Sequence, residues 1–364
     1  MNMGKKEPKI AVLVSWWTKR CGVKDYWLKI DKFLEKNIKT DIIKNTRGPT
    51  LNPFYFISLA KKCKKYDLLH VQHNYSLFGS IFNKINSIHA FLFYFLVKFP
   101  KGPKIITTMH DIVEPRKLNF IKRAYLDFMN LPLKLFSNKI IVHRNVVRDQ
   151  LIRQGFKAKN IYVVNYGVDD VKGLLSPKEA RRRFGLPERK TVVQFGFVRP
   201  DKRYELTINA MTELPDVQLF ILGDTPYKNY FKFLKKEISK KGLEKRVIFK
   251  DKIPQNMNYA WLSCGDVIVL PYARISASGV LSDAISTHLP IVTSDIPEFK
   301  ETEKLGVLKT TNVNSETEFA KTISEVIKNP NTTKANILKY IKKNNRNEVA
   351  KRTKQIYEEV LSKK

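Results

Sequence analysis

Residues 266–295 constrain the chain more than any other stretch. Val267 to Leu270 make a continuous apolar, β-rich run of the kind that lies buried on both faces of a sheet, and Pro271 stops it. Ser276, Ser278 and Gly279 lead into apolar residues at helical spacing, Val280, Ala284 and Ile285. His288 and Pro290 close that segment before a second apolar run at 291–293. Strand, small-residue turn, helix and strand make a βαβ unit. The amides at such a helix start carry the positive end of the dipole, and small residues let a phosphate approach them. A βαβ unit without a ligand has the same signature, so the rest of the chain must decide.

The same alternation fills the sequence. Strand candidates at 9–17, 41–43, 68–72, 104–109, 139–143 and 161–164 alternate with helical patterns at 26–34, 53–64, 80–98, 118–136 and 145–154, and Asp25 is expected to cap the first helix. The pattern lapses near 168–175. It resumes with a short helix at 176–184, capped by Ser176, with Pro177 first and Gly185 as its stop. Strands at 192–198, 217–222, 247–249 and 306–308 follow, with helices at 204–214, 229–241, 256–262, 316–328, 333–343 and 348–361. A chain of 364 residues exceeds the usual single core. The expected architecture is therefore α/β, with two doubly wound domains at 1–170 and 171–346 and a helix at 347–364 packing back toward the first. Ligands of such sheets bind beyond the carboxyl ends of the strands.

A net charge of +33, with the larger share in the first 170 residues, implies an anionic partner: nucleic acid, an anionic membrane surface or a phosphorylated substrate. Cys21, Cys63 and Cys264 have neither disulfide nor metal-ligand spacing, so the chain reads as cytoplasmic. No run reaches the roughly eighteen apolar residues of a spanning helix. The longest, 88–97, reads either as a buried helix or as one lying in a bilayer interface beside Lys84, Lys98, Lys101 and Lys104.

The strand ends hold the candidate chemistry. Arg199 and Lys202 sit three apart after the first strand of the second half, where both cations could face a diphosphate resting on the Ser278 and Gly279 amides. Asp283, on the helix behind that turn, could accept from a vicinal diol; a solvated helix carboxylate is the alternative. In the first half, His70 to His73 and Thr107 to Asp111 close two strands. His110 beside Asp111 has the form of a base with an orienting neighbour, while His70 also reads as a core histidine. No zinc-protease spacing and no Gly-x-Ser-x-Gly elbow occurs.

These residues carry a resemblance. Gly22-Val23, His70-Val71-Gln72-His73, Thr107 to Asp111, Asn165-Tyr166-Gly167-Val168-Asp169, Phe195 to Lys202, Leu222-Gly223-Asp224 and above all 266–294 together resemble, in order and spacing, the retaining glycosyltransferases of family 4. The resemblance implies the GT-B fold, two Rossmann-like domains facing a central cleft. It implies a nucleotide-diphosphate sugar as donor substrate, with Arg199 and Lys202 on its diphosphate. Ser278, Gly279 and Val280 would contact phosphate through their amides, and Asp283 would hold the ribose. His110 would stand near the anomeric centre, and Gly22 would leave room for phosphate and acceptor. No cofactor and no metal are expected.

Three departures accompany it: Ile275 where the family's first signature Glu falls, Phe197 where its usual arginine falls, and Cys21 in place of a second glycine. The expected function is retaining hexose transfer from a nucleotide-diphosphate sugar to a lipid-linked sugar, glycolipid or cell-surface polysaccharide precursor, by an enzyme peripheral to the inner face of the cell membrane. A sugar-nucleotide epimerase of the same architecture and a degenerate, basic nucleic-acid-binding protein are the alternatives; no nucleic-acid-binding module supports the latter.

Overall fold

Short β-branched runs bounded by turns become strands, and the amphipathic segments between them become helices covering both sheet faces. The computed structural model describes residues 7–16, 21–36, 38–48, 50–81, 85–115, 118–251, 253–275 and 279–362. Two compact units result: Met1–Gly167 with Arg346–Lys364, and Val168–Asn345.

The first unit contains β1 (Ile10–Ser15), α1 (Gly22–Leu34), β2 (Thr40–Asn45), α2 (Pro53–Cys63), β3 (Leu68–His73), a hairpin of β4 (Ser80–Ile81) and β5 (Ile85–Asn86), and α3 (Ala90–Lys98). It continues with β6 (Lys104–Met109), α4 (Phe120–Phe136), β7 (Lys139–Val142), α5 (Asn145–Arg153), β8 (Ile161–Val163) and, from the end of the chain, α14 (Arg346–Ser362). Its parallel sheet has the order β2-β1-β3-β6-β7-β8. β1 and β3 are buried at every position, whereas the edge strand β2 keeps Asp41 and Lys44 exposed. One face carries α2 to α5 through Phe56, Phe93, Leu133 and Leu151. The other carries α1 and α14, where Trp27 and Ile30 join a core with Val349, Ile356 and Tyr357.

The second unit contains α6 (Pro177–Arg183), β9 (Lys190–Phe195), α7 (Tyr204–Ala210), β10 (Val217–Leu222), α8 (Lys228–Lys240), β11 (Val247–Lys250), α9 (Asn258–Leu262) and β12 (Val267–Leu270). After these come α10 (Gly279–Ser286), β13 (Ile291–Ser294), α11 (Pro297–Glu303), β14 (Lys309–Thr311), α12 (Glu316–Lys328) and α13 (Lys334–Asn344). Its parallel sheet runs β11-β10-β9-β12-β13-β14. Asp266, which opens the signature stretch, is structural: Oδ2 accepts from Arg181 Nη1 at 2.9 Å and from the Thr191 amide at 2.8 Å.

In both sheets the order reverses beside the first strand, between β1 and β3 and between β9 and β12. At such a reversal the crossovers leave in opposite directions, and ligands of open α/β sheets bind beyond the strand ends there.

Ser176 caps α6 in a full capping box with Glu179. Three local expectations are corrected. Asp25 lies inside the first turn of α1, whose N-cap is Cys21. The pattern at 80–98 divides because Gly79 (φ +94°) and Ser87 (φ +57°) adopt conformations that a helix cannot contain, leaving a hairpin and the shorter α3. The last strand begins at Lys309, since Gly306 (φ +67°) turns out of α11 while Val307 and Leu308 are buried on the approach. Among the described residues no helix is long and apolar enough to cross a membrane.

Candidate functional site

Next to the switch point of the second unit, the end of β9 meets the end of β10 with no space for side chains. A Cβ on Gly223 (φ +139°) would stand 2.1 Å from the Gly196 carbonyl oxygen, and one on Gly196 (φ +119°) would stand 3.2 Å from Val280 Cγ2 at the start of α10. Backbone and α10 therefore converge on one spot. The chain leaving β9 then makes a short turn, Pro200–Lys202, pinned by Gln194 Nε2 donating to the Lys202 carbonyl at 2.8 Å.

That turn holds both predicted cations. Lys202 Nζ lies 3.5 Å from the centre of the Tyr272 ring, and Tyr272 itself is fully buried just past β12. Arg199 grips Asp201 with two bonds, Nε to Oδ1 at 2.9 Å and Nη2 to Oδ2 at 2.7 Å. Burial pulls the Lys202 ammonium down to about 8; Asp201 opposes the shift, and Arg199 and Arg274 add to it. Three cations and one carboxylate thus meet here, and with Arg199 and Asp201 paired to each other the place is still net positive through Lys202 and Arg274. Such a place favours an incoming anion.

Gly279 and Val280 open α10 and are partly buried. Ser278 lies outside the described residues. Asp283, one turn into α10, is partly buried; its Oδ1 lies 3.1 Å from Tyr259 Oη, whose single proton it shares with the nearer carboxylate of Asp169. The Asp169 amide in turn donates to Ser286 Oγ at 2.9 Å. The carboxylate that sequence alone left between a ribose ligand and a solvated charge is thus held by α9 and by the segment that begins the unit.

In the first unit, the ends of β6 and β7 bring His110 and His143 together, with His70 on the same side of β3, while His73 packs against Tyr75 and Phe78 on the other face; all four are buried. His70 is a core histidine: Nδ1 is bonded to Tyr357 Oη at 2.6 Å and Nε2 to Thr108 Oγ1 at 2.7 Å. His110 Nε2 donates to Gln72 Oε1 at 2.8 Å, and the Gln72 amide nitrogen faces His70 Nε2 at 3.2 Å. That orientation of Gln72 makes Nε2 of His110 the protonated nitrogen and Nδ1 the acceptor. The His110 ring lies 5.1 Å from Tyr26 and 5.2 Å from His143. Burial, with His143, His70 and His73 adding to it, holds His110 well below the usual imidazole range, so it is neutral at pH 7.

Gly22 opens α1, and a Cβ there would meet nothing within 4 Å; its carbonyl accepts from Tyr166 Oη at 3.3 Å.

Sequence reasoning missed Tyr272, Arg274, Tyr259 and His143. None has a spacing signal, because each acts across the sheet end from a residue far off in the chain. Ile275, where the family has its first signature Glu, is buried in the second unit's core, so that position supplies packing. Phe197 is exposed. Among the described residues no group of three or more His, Cys, Asp or Glu could hold a metal ion.

Two family models match adjoining stretches: Glycosyltransferase Family 4 over residues 33–172 and Glycosyl transferases group 1 over residues 177–348. Among characterised proteins, the alpha-D-kanosaminyltransferase of Streptomyces kanamyceticus is 30% identical over 122 residues, 32% of this chain and 31% of that protein. The sulfoquinovosyl transferase SQD2 of Arabidopsis thaliana is 28% identical over 158 residues, 42% of this chain and 29% of its own length. The matches therefore span about a third of those relatives.

Among solved structures, a glycosyltransferase from Rickettsia africae superposes with a TM-score of 0.79 at 17% identity, covering 99% of this chain and all of that one. HepE of Anabaena, solved in complex with UDP and glucose, superposes with a TM-score of 0.76 at 17% identity, covering 97% of this chain and all of its own. Two Rossmann-like units with the GT-B fold, each carrying one of two adjoining family signatures, place this chain in the group 1, family 4 glycosyltransferases.

Proposed function

We propose that the protein is a retaining glycosyltransferase moving a hexose from a nucleotide-diphosphate sugar to a hydroxyl of a lipid-linked sugar or glycolipid. The observation that carries the reading is the Lys202 site, where a half-buried ammonium, Arg199 and Arg274 bear on one place while Asp201 is occupied by Arg199. In this proposal Lys202 and Arg199 bind the diphosphate, and the amides of Ser278, Gly279 and Val280 complete its coordination. Asp283, oriented by Tyr259, takes the ribose diol. These cations supply the positive charge, so the proposal invokes no metal.

The chemistry follows from that placement. As the bond from the anomeric carbon to the diphosphate oxygen breaks, negative charge builds on the diphosphate and the fixed cations stabilise it. The acceptor oxygen attacks the anomeric carbon from the face the diphosphate leaves, and the departing phosphate oxygen takes the acceptor proton, so configuration is retained. His110, neutral and held by Gln72, serves as a hydrogen-bonding group beside the sugar; Gly22 leaves space for phosphate and acceptor.

HepE was solved with UDP and glucose, which makes UDP-glucose the first donor to test. Incubating the protein with labelled UDP-hexoses and extracted membrane lipids, followed by assignment of the product anomer by NMR, tests the reading. A labelled lipid with the donor's anomeric configuration is expected. An inverted product would overturn the retaining assignment. Conversion of the donor's sugar without acceptor would favour the epimerase.

A further inference from the structure

We propose that the outward faces of α3 and α4 form a docking surface for an anionic lipid bilayer. α4 is apolar on two sides. Leu126, Met129 and Leu133 enter the core of the first unit, whereas Ile121, Phe128, Leu131 and Leu135 are exposed and, with Ala124, recur every three or four residues along one outward stripe. Phe120 and Ile121 at its start are 85% and 77% exposed. A single exposed Leu needs no explanation, but a continuous stripe of this kind marks an interaction surface.

The stripe continues onto α3. Phe91 and Phe95 are exposed and their rings lie 6.4 Å apart, and Phe99 lies 5.0 Å beyond Phe95. Phe136 of α4 joins them, 5.8 Å from Phe91 and 6.1 Å from Phe99. His89, ahead of α3, bonds the Leu51 carbonyl through Nε2 at 2.9 Å and so sets the start of α2, with Phe54 76% exposed, beside the start of α3.

Charge selects the occupant. The helices α2, α3 and α4 carry Lys61, Lys62, Lys98, Lys122, Arg123 and Lys134 against a single carboxylate, Asp127. A second copy of the chain would set these cations against their own kind, on a molecule of net charge +33. Acidic headgroups would neutralise them while the aromatic side chains enter the acyl boundary. Seventeen residues of helix span about 26 Å. With one face committed to the core, α4 can lie only in the plane of the interface.

The surface gives the enzyme access to the lipid-linked acceptor and rests on that reading for its purpose. Vesicle binding is nevertheless measured without any transfer, so either claim can fail alone. The test is flotation of the full chain with vesicles of equimolar phosphatidylglycerol and phosphatidylcholine, and with phosphatidylcholine alone. Partitioning should be at least about tenfold stronger to the anionic vesicles. The variant Phe128→Ser/Leu131→Ser/Leu135→Ser should lose at least about tenfold of it while nucleoside-diphosphate affinity is kept.

Hydrogen exchange of the unmodified protein should also show slower amides at 120–136 when anionic vesicles are added, an outcome that does not depend on the variant folding. Flotation with neither vesicle, a triple variant that floats as before, or unchanged exchange in α4 would overturn the proposal. Dimerisation that the variant abolishes, without vesicle binding, would assign the face to a second copy instead. Vesicle binding without nucleotide binding would strike the proposed function and leave this surface standing.

Discussion

Lys202 makes the most quantitative residue-scale prediction. With its ammonium pulled down to about 8 by burial, it is protonated below that pH and able to meet a diphosphate. Above it the free protein holds a neutral amine, and binding must first take up a proton. Donor affinity therefore falls as pH rises through about 8, approaching a tenfold loss per unit. Calorimetry between pH 7 and 10 checks this. Lys202→Arg should flatten the slope, because a guanidinium stays charged. His110 predicts the opposite division: His110→Ala should lower turnover about tenfold to a hundredfold, the loss of one hydrogen bond, while donor affinity changes little, since the ring is anchored by Gln72 in the first unit and the cations lie in the second. Kinetics with separately measured donor Kd would expose a failure of that split.

At the scale of elements, the strand ends divide into crowded and open glycines. Gly223→Ala drives a methyl to 2.1 Å from the Gly196 carbonyl oxygen at φ +139°, and should cost about 2–4 kcal/mol or prevent folding. Gly22→Ala meets nothing within 4 Å and should change stability by less than about 0.5 kcal/mol. Urea unfolding of the pair measures the contrast; equal effects would contradict the convergence of β9 and β10. Most strands were legible in sequence because burial on both faces demands an unbroken apolar run, as at Val267–Leu270. The hairpin β4–β5 was not, since Gly79 and Ser87 interrupt an apolar stretch whose composition continues as if helical. The position of Arg199 and Lys202 after a strand end was legible. Tyr272 beneath Lys202 was not, because periodicity carries no information about which side chain lies across a switch point.

For the whole molecule, the return of α14 to the first unit is the connection that sequence order hides. Tyr357 bonds His70, and Val349 and Ile356 cover the face that holds Val12 and Ile106. A chain ended at Asn345 should leave that face uncovered and His70 short of a partner, so limited proteolysis should cut the first unit faster than the second. Equal resistance of the two would contradict this account of the fold.

The central claim concerns binding: that the cations at the end of β9 take a nucleoside diphosphate. Isothermal titration of UDP and other nucleoside diphosphates into the intact protein and into Lys202→Ala tests it most directly. The account predicts saturable binding of at least one of them, weakened about tenfold to a hundredfold by the substitution. Binding of none, or equal affinity in both proteins, would contradict it.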